Sequence, residues 1–208
     1  MAETPDPRIE RALRHLRRDA RLRPVIRRFG PPSYRRYDSH FHALARSILF
    51  QQLSGSAANT IFDRFTALFP GRRFPRPEQV LALSVEELRA VGVSRQKAGY
   101  LLDLAAKMAD GTIRPRLLAT LSDDELVSEL TQVKGIGVWT VHMFALFTLR
   151  RPDVLPVGDL GIRKGFERLF ELDGEPDADA MVALAEPWRP YRSIASWYLW
   201  RVLEMETV

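Results

Sequence analysis

Two short segments carry the residue types best suited to chemistry: Val133-Lys134-Gly135-Ile136-Gly137-Val138-Trp139-Thr140 and Pro156-Val157-Gly158-Asp159-Leu160-Gly161-Ile162. Glycines two residues apart let a chain turn without a Cβ clash and bring its backbone against another molecule. If a helix starts at Val138, the N–H groups of that turn point outward, and the helix dipole adds positive potential suited to a phosphate oxygen. Lys134 adds a point charge beside them. Ile136 serves as an apolar plug between the glycines, and carbonyls of the preceding helix end could hold a hard cation. Asp159 places a carboxylate at the start of a later helix. That is a favoured N-cap, and the same group could face a positive charge developing in a reaction. Trp139 lies just beyond the turn, and Trp188, Tyr191, Trp197, Tyr198 and Trp200 crowd the C-terminus. Most large aromatics are core packing, as assigned for Trp188 and Trp197, while some of the others could wall a pocket and stack on a base, more strongly on a cationic one. A phosphate-gripping turn with an acid nearby points to chemistry on nucleic acid. Each feature also has a plain reading, since a glycine pair ends helices in any bundle.

The elements that must position these groups all read as helices. No stretch alternates with period two over a useful length, and helical spacing runs throughout. Ile9–Arg28 reads as an arginine-studded helix or helix pair, with Pro24 opening the second piece and Arg11, Arg14 and Arg18 on one solvated face. An apolar-periodic stretch from His40 to Phe69 is interrupted around Gln51-Gln52-Leu53-Ser54-Gly55-Ser56, and a loop with Gly71, Pro75 and Pro77 follows. Ser84-Val85-Glu86-Glu87 and Ser122-Asp123-Asp124-Glu125 are capping boxes, each a serine paired with a glutamate three residues on. Ser94 caps the helix between them. The helix from Val138 to about Leu149 is apolar nearly all round and is expected to be buried. Pro152 and Pro156 prevent its continuation. A helix over Asp159–Phe170, an acidic loop and a last helix containing Trp197–Val202 complete the chain.

Composition narrows the classes further. The chain has 208 residues, 46% hydrophobic and 27% charged, which describes an ordinary globular protein. No run approaches a membrane span, and Met1–Glu10 lacks the order of a signal peptide. Zero cysteines exclude disulfides, thiolate zinc sites and cysteine-ligated iron–sulfur clusters. A net charge of +5 favours an anionic partner, although the excess is nearly all arginine, as a GC-rich genome would also produce. His40 and His42 lack the carboxylate or cysteine partners of a metal site, and His142 reads as a core histidine. There is no P-loop and no dinucleotide fingerprint.

The hairpin LTQVKGIGVWTVHMFAL, the PVGDLGI loop, and the GVSRQKAGYLLDLA and FQQLS segments together resemble the helix–hairpin–helix DNA glycosylase superfamily. Within it, the 3-methyladenine DNA glycosylase II group is most similar, over roughly His40–Arg201. The resemblance implies an all-α fold of two helical lobes with a DNA- and base-binding cleft between them. One lobe would cover about 40–150 and include the hairpin at 134–137; the other would cover about 1–39 plus 151–208. It implies Asp159 as the catalytic aspartate and Lys134, Gly135, Ile136 and Gly137 as the DNA-anchoring hairpin. Gln52, Leu53 and Ser94 would add DNA contacts, with Gln52 at the wedge position, and Trp139 and Trp200 would wall the base pocket. Main-chain carbonyls of Thr131, Val133 and Ile136 would hold a monovalent or divalent structural cation, with no cofactor needed for the chemistry. The chain is too short for the extra N-terminal β-rich domain of two-part bacterial members and matches the compact, single-module form.

The activity so implied is monofunctional: a damaged base is flipped from the duplex and its N-glycosidic bond hydrolysed, the first step of base excision repair of alkylation damage. Lyase-competent relatives carry a lysine just after the hairpin, where this chain has Trp139-Thr140. The expected setting is a cytoplasmic, nucleoid-associated monomer acting on damaged double-stranded DNA, with no membrane contact. Two alternatives stay open on sequence: a glycosylase for another lesion, and a non-catalytic helix–hairpin–helix DNA-binding module.

Overall fold

A computed structural model describes residues 6–71 and 73–205. Residues 1–5, the polar start to which the signal-peptide expectation applies, lie outside the described residues. The described elements are helices and turns. In chain order they are α1 (Pro7–Leu16), α2 (Leu22–Phe29), α3 (His40–Phe50), α4 (Gly55–Ala67), α5 (Pro77–Leu81), α6 (Val85–Ala90), α7 (Arg95–Ala109), α8 (Asp123–Leu130), α9 (Val138–Phe147), α10 (Leu160–Phe170), α11 (Ala178–Leu184) and α12 (Arg192–Val202), with a 3-10 turn at Glu186–Trp188. None is long and apolar enough to cross a membrane.

Local chemistry explains most boundaries. In both predicted capping boxes the serine N–H donates to a glutamate carboxylate at 2.7 Å, Ser84 to Glu87 and Ser122 to Glu125. The glutamate N–H groups return the bond to the serine hydroxyls at 3.1 and 3.2 Å. Hydrogen bonds from the Ser84 and Ser122 backbones hold the Glu87 and Glu125 carboxyls below the usual carboxylate range. Each such cap is worth ~1 kcal/mol. Ser94 caps α7 and Asp159 caps α10 in the same way, through Lys97 N–H and Ile162 N–H.

Three expectations are corrected. The stretch after Gly71 is not all loop, because Pro77 opens α5 and Gln79 folds back onto the Arg76 N–H. The acidic segment after Phe170 is interrupted by α11, for Asp177 accepts from the Ala180 N–H and caps it. And α9 is not buried along its length: Val141, Phe144, Ala145 and Leu146 are, but Val138 and Trp139 at its start are each 50% exposed.

Contacts divide the chain into two compact units, one formed by the described residues through Arg35 and from Ala145 onward, the other by Arg36–Phe144. The first has a core around Leu16, Leu22, Ile26, Phe166, Trp188 and Tyr198, all nearly inaccessible. Within it α10 packs on α12, and Gly165 permits the approach, since a Cβ there would lie 2.6 Å from the Leu199 carbonyl oxygen. Trp188, assigned to packing on sequence, is buried and its indole donates to Asp19 at 2.9 Å. In the second unit α7 packs against α3, α5 and α6, burying Leu44, Ile48, Val80, Leu88, Leu101 and Leu104. His42 lies flat on Phe74 with ring centroids 4.1 Å apart, and His40 Nδ1 contacts the Pro115 carbonyl at 2.8 Å. His142 is half-buried, and burial lowers its pKa.

Candidate active site

Asp159 sits at the N-terminus of α10, 8% exposed. Its Oδ1 accepts from the Ile162 N–H at 2.8 Å and from the Trp200 indole Nε1–H at 2.8 Å. The first donor comes from the helix that Asp159 opens and the second from α12. The loop leading into Asp159 is fastened to α12 as well. The Val154 N–H donates to Ser193 Oγ at 2.9 Å, and the Ser193 N–H donates to the Pro152 carbonyl at 3.0 Å. Asp153 receives Arg192 Nε and Nη2 at 2.8 and 3.0 Å, a two-point ion pair in which the Arg192 side chain is 11% exposed. Charge-assisted pairs of this fork geometry are stronger than single contacts. A helix N-terminus also complements a carboxylate's charge. The outcome is a carboxylate held from two helices on a pinned loop.

Trp200 carries an aromatic row away from that carboxylate. Its ring stacks on Phe147 with centroids 5.6 Å apart at 26°, and Phe147 meets Tyr34 at 6.3 Å. The Arg150 guanidinium lies 5.3 Å from the Tyr34 ring centre, and burial pushes the Tyr34 hydroxyl up to about 12. Such surfaces present π-faces on which a base can stack.

The other unit contains the glycine-paired turn. Gly135 has φ +81°, a left-handed conformation open to glycine, and a Cβ there would lie 2.1 to 2.6 Å from the Tyr100 ring. Ile136 is 3% exposed, an apolar plug, whereas a Cβ on Gly137 would meet nothing within 4 Å. Three residues of α7, spaced by three along one face, organise this region. Lys97 Nζ donates to the Leu49 and Gln51 carbonyls at 2.8 and 2.6 Å, closing the end of α3. Tyr100 lies under Gly135. Asp103 accepts the Lys134 N–H at 2.9 Å and pairs with Lys107 at 2.7 Å. Burial opposes ionisation of Asp103, but hydrogen bonds from Lys107 and the Lys134 backbone outweigh it and lower its pKa. Burial lowers the pKa of Lys97. Finally, Gln51 Nε2 donates to the Gly135 carbonyl at 2.8 Å, tying the α3–α4 turn to the hairpin.

Residues 45–190 match the model of the HhH-GPD superfamily of base excision DNA repair proteins. The chain belongs to that superfamily. DNA-3-methyladenine glycosylase 1 of Schizosaccharomyces pombe is 36% identical over 186 residues, covering 89% of this chain and 82% of the yeast protein. A putative DNA-3-methyladenine glycosylase of Bacillus subtilis is 35% identical over 171 residues, covering 80% of this chain but 60% of its own length. Among solved structures, the S. pombe 3-methyladenine DNA glycosylase in complex with abasic DNA is similar at TM-score 0.81 and 34% identity, over 95% of this chain and 100% of that one.

The HhH-GPD fold thus distributes the predicted residues over both units. Asp159 and Trp200 meet directly. Lys134, Gly135, Ile136 and Gly137 form the turn, beside the segment that continues from Gln51 into Gln52 and Leu53, both exposed. Gln52 has φ +54°, a conformation costing a non-glycine residue roughly 1–2 kcal/mol. Ser94 is exposed at the start of α7, and Trp139 stands half-exposed at the start of α9. Of the carbonyls expected to hold a cation, Val133's already accepts the Ile136 N–H at 3.1 Å. Thr131, Val133 and Ile136 would offer neutral main-chain oxygens, a donor set that fits a weakly held hard cation. Among the described residues no cluster of three or more His, Cys, Asp or Glu could offer a charged alternative. Sequence reasoning missed Phe147, Gly161, Gln51, Lys97, Tyr100 and Asp103. Gln51 and Lys97 lay within segments already marked, whereas Phe147 was hidden in an apolar helix.

Proposed function

We propose that this protein is a monofunctional DNA glycosylase that excises alkylated purines of the 3-methyladenine type from duplex DNA, with Asp159 as its catalytic residue. The observation that carries the assignment is the Asp159 carboxylate held at 2.8 Å by donors from two helices, in a member of a base excision repair superfamily. A paired base hides its glycosidic bond, so the nucleotide must first leave the stack. The hairpin N–H groups and Lys134 would hold the strand by phosphate, while Gln52 or Leu53 fills the space the base vacates. Trp200 and Trp139 each offer an indole face on which a flipped base could stack.

A purine alkylated on a ring nitrogen is cationic and departs as a neutral base, so the leaving group needs no proton. As the C1′–N bond breaks, positive charge grows on the sugar, and the Asp159 carboxylate stabilises it. Water then bonds to C1′ and its proton passes to the carboxylate or to solvent, leaving a free base and an abasic site. The hairpin carbonyls of Thr131, Val133 and Ile136 would hold any structural cation, whose charge would favour the phosphate there. Monomeric action in the cytoplasm, on the nucleoid, completes the reading.

The test is release of free base from duplexes carrying single lesions, with Asp159→Asn in parallel. Base release by the parent and loss of at least about a hundredfold in the variant, with duplex binding retained, supports the assignment; each 1.4 kcal/mol of lost transition-state stabilisation is tenfold. Turnover by the variant at the parent's rate removes Asp159 from the chemistry.

A further inference from the structure

We propose that Trp200 is a positioning residue for Asp159, acting through its indole N–H separately from any stacking by its ring. The proposal rests on Asp159 carrying the reaction.

Asp159 Oδ1 receives the Ile162 N–H and the Trp200 Nε1–H, both at 2.8 Å. An N-cap aspartate with a single donor can still rotate its carboxylate plane. A second donor, arriving from α12, removes that freedom. The approach depends on Gly161, where a Cβ would lie 2.7 Å from Trp200 Cδ1, 2.8 Å from Nε1 and 3.1 Å from Asp159 Oδ1. Gly161 lies in the first turn of α10, where a glycine generally weakens the helix. Its backbone requires no left-handed conformation, so the close passage of the indole accounts for it. Phe147 stacks on the same indole and limits its tilt.

The chemistry gives the second donor a purpose. Stabilising a growing charge is most effective when the opposing group is already oriented and need not reorganise as the bond breaks. The Trp200 N–H holds the carboxylate in that orientation before substrate arrives. The same side chain therefore serves reaction rate through its nitrogen and base retention through its ring, and the two roles separate by substitution.

Trp200→Phe keeps an aromatic face and removes the donor. Single-turnover release of a ring-methylated purine and affinity for the abasic duplex would be measured for the parent, Trp200→Phe, Gly161→Ala and Asp159→Asn. A hydrogen bond to a charged group corresponds to roughly 10- to 100-fold in rate. Trp200→Phe is expected to lose about that much rate while its affinity for the abasic duplex moves less than about threefold. Gly161→Ala, which pushes the indole off the carboxylate, should show the same split. Full rate in Trp200→Phe with an inactive Asp159→Asn overturns the positioning role and leaves Asp159 catalytic. An active Asp159→Asn instead overturns the reading beneath it. Equal losses of rate and affinity in Trp200→Phe make Trp200 a pocket wall alone. Should Trp200→Phe and Gly161→Ala both melt below the assay temperature, the 15N indole spectrum of Asp159→Asn decides. The chain has four tryptophans; displacement of one indole N–H signal upholds the contact, and an unmoved set overturns it.

Discussion

Gln51 Nε2 donates to the Gly135 carbonyl at 2.8 Å, so the turn that ends α3 and the glycine-paired hairpin are bound to each other. Both are also held by α7, through Lys97 at the Leu49 and Gln51 carbonyls and Tyr100 and Asp103 at the hairpin. On the proposed reading, in which the hairpin grips the strand and Gln52 or Leu53 enters the duplex, this tie would fix the spacing between them. The left-handed Gln52 is the strained point of that turn, held in place by its neighbours.

Breaking the tie should impair flipping more than hydrolysis. Gln51→Ala removes the donor to Gly135 and leaves the two donors of the Asp159 carboxylate, Ile162 and Trp200, unchanged. Excision from duplex DNA is expected to fall roughly tenfold, the scale of one buried hydrogen bond and its desolvated partner. Excision of the same lesion from a single strand, where no pair must be opened, should fall less than about threefold. Parallel losses on both substrates would place Gln51 in general stability rather than in wedge placement.

The two hairpin glycines should behave differently. Gly135→Ala forces a side chain into a left-handed conformation and against the Tyr100 ring. A destabilisation of roughly 2 kcal/mol or more, several degrees in melting temperature, is expected. Gly137→Ala meets open space in the protein. Its melting temperature should stay close to the parent's, while binding should weaken on damaged and undamaged duplexes alike if, as proposed, the hairpin lies against the strand. Normal duplex affinity in a folded Gly137→Ala would reduce the hairpin to a structural turn.

Half-exposure of Trp139 separates recognition from packing. Trp139→Ala should leave the melting temperature within a few degrees. Preference for damaged over undamaged duplex should fall roughly ten- to hundredfold, the ~1–3 kcal/mol of one stacking contact. Binding competition between the two duplexes reads the ratio directly. If the two affinities fall together, the ring does not meet the flipped base.

How much of this was legible in the sequence depends on the range of the interaction. Ser84–Glu87 and Ser122–Glu125 could be read because a capping box spans four residues and obeys one geometry. The glycine pair and Asp159 likewise announced themselves by type and neighbours. Lys97 did not: its partners lie 48 and 46 positions away and are backbone carbonyls, which carry no residue signature. Gly161 looked like a minor flaw in a helix until the indole passing over it gave it a reason. Phe147 was lost in an apolar run, since periodicity cannot distinguish a core ring from one stacked beside a carboxylate. The exposed start of α9 was misread for the same reason, as hydrophobicity alone assigned Val138 to the interior.

We propose that the protein lacks lyase chemistry, on the residues that follow the hairpin. Strand cleavage by β-elimination needs an amine to form a Schiff base with the sugar, and the positions after Gly137 hold Val138, Trp139 and Thr140. Borohydride should trap no covalent adduct between the protein and lesion-bearing DNA, and the strand should stay intact until alkali is added. A trapped species would require an amine elsewhere in the chain to reach C1′.

Lys134 offers the cleanest measure of the proposed phosphate grip. Its backbone N–H is anchored by Asp103 at 2.9 Å while its side chain is exposed, so Lys134→Ala removes the charge and keeps the turn. One lost phosphate contact releases about one fewer counterion, so the slope of log affinity against log salt should drop by about one unit. The loss should be the same on damaged and undamaged duplexes, because phosphate carries no information about the base. Single-turnover excision at saturating protein should be unchanged, since the carboxylate lies on the other unit and no step at C1′ involves the lysine. An unaltered salt slope would make Lys134 a solvated charge at the end of a turn. The backbone N–H groups around Gly137 would then carry the strand alone, and the Gly137→Ala measurement would become the deciding one.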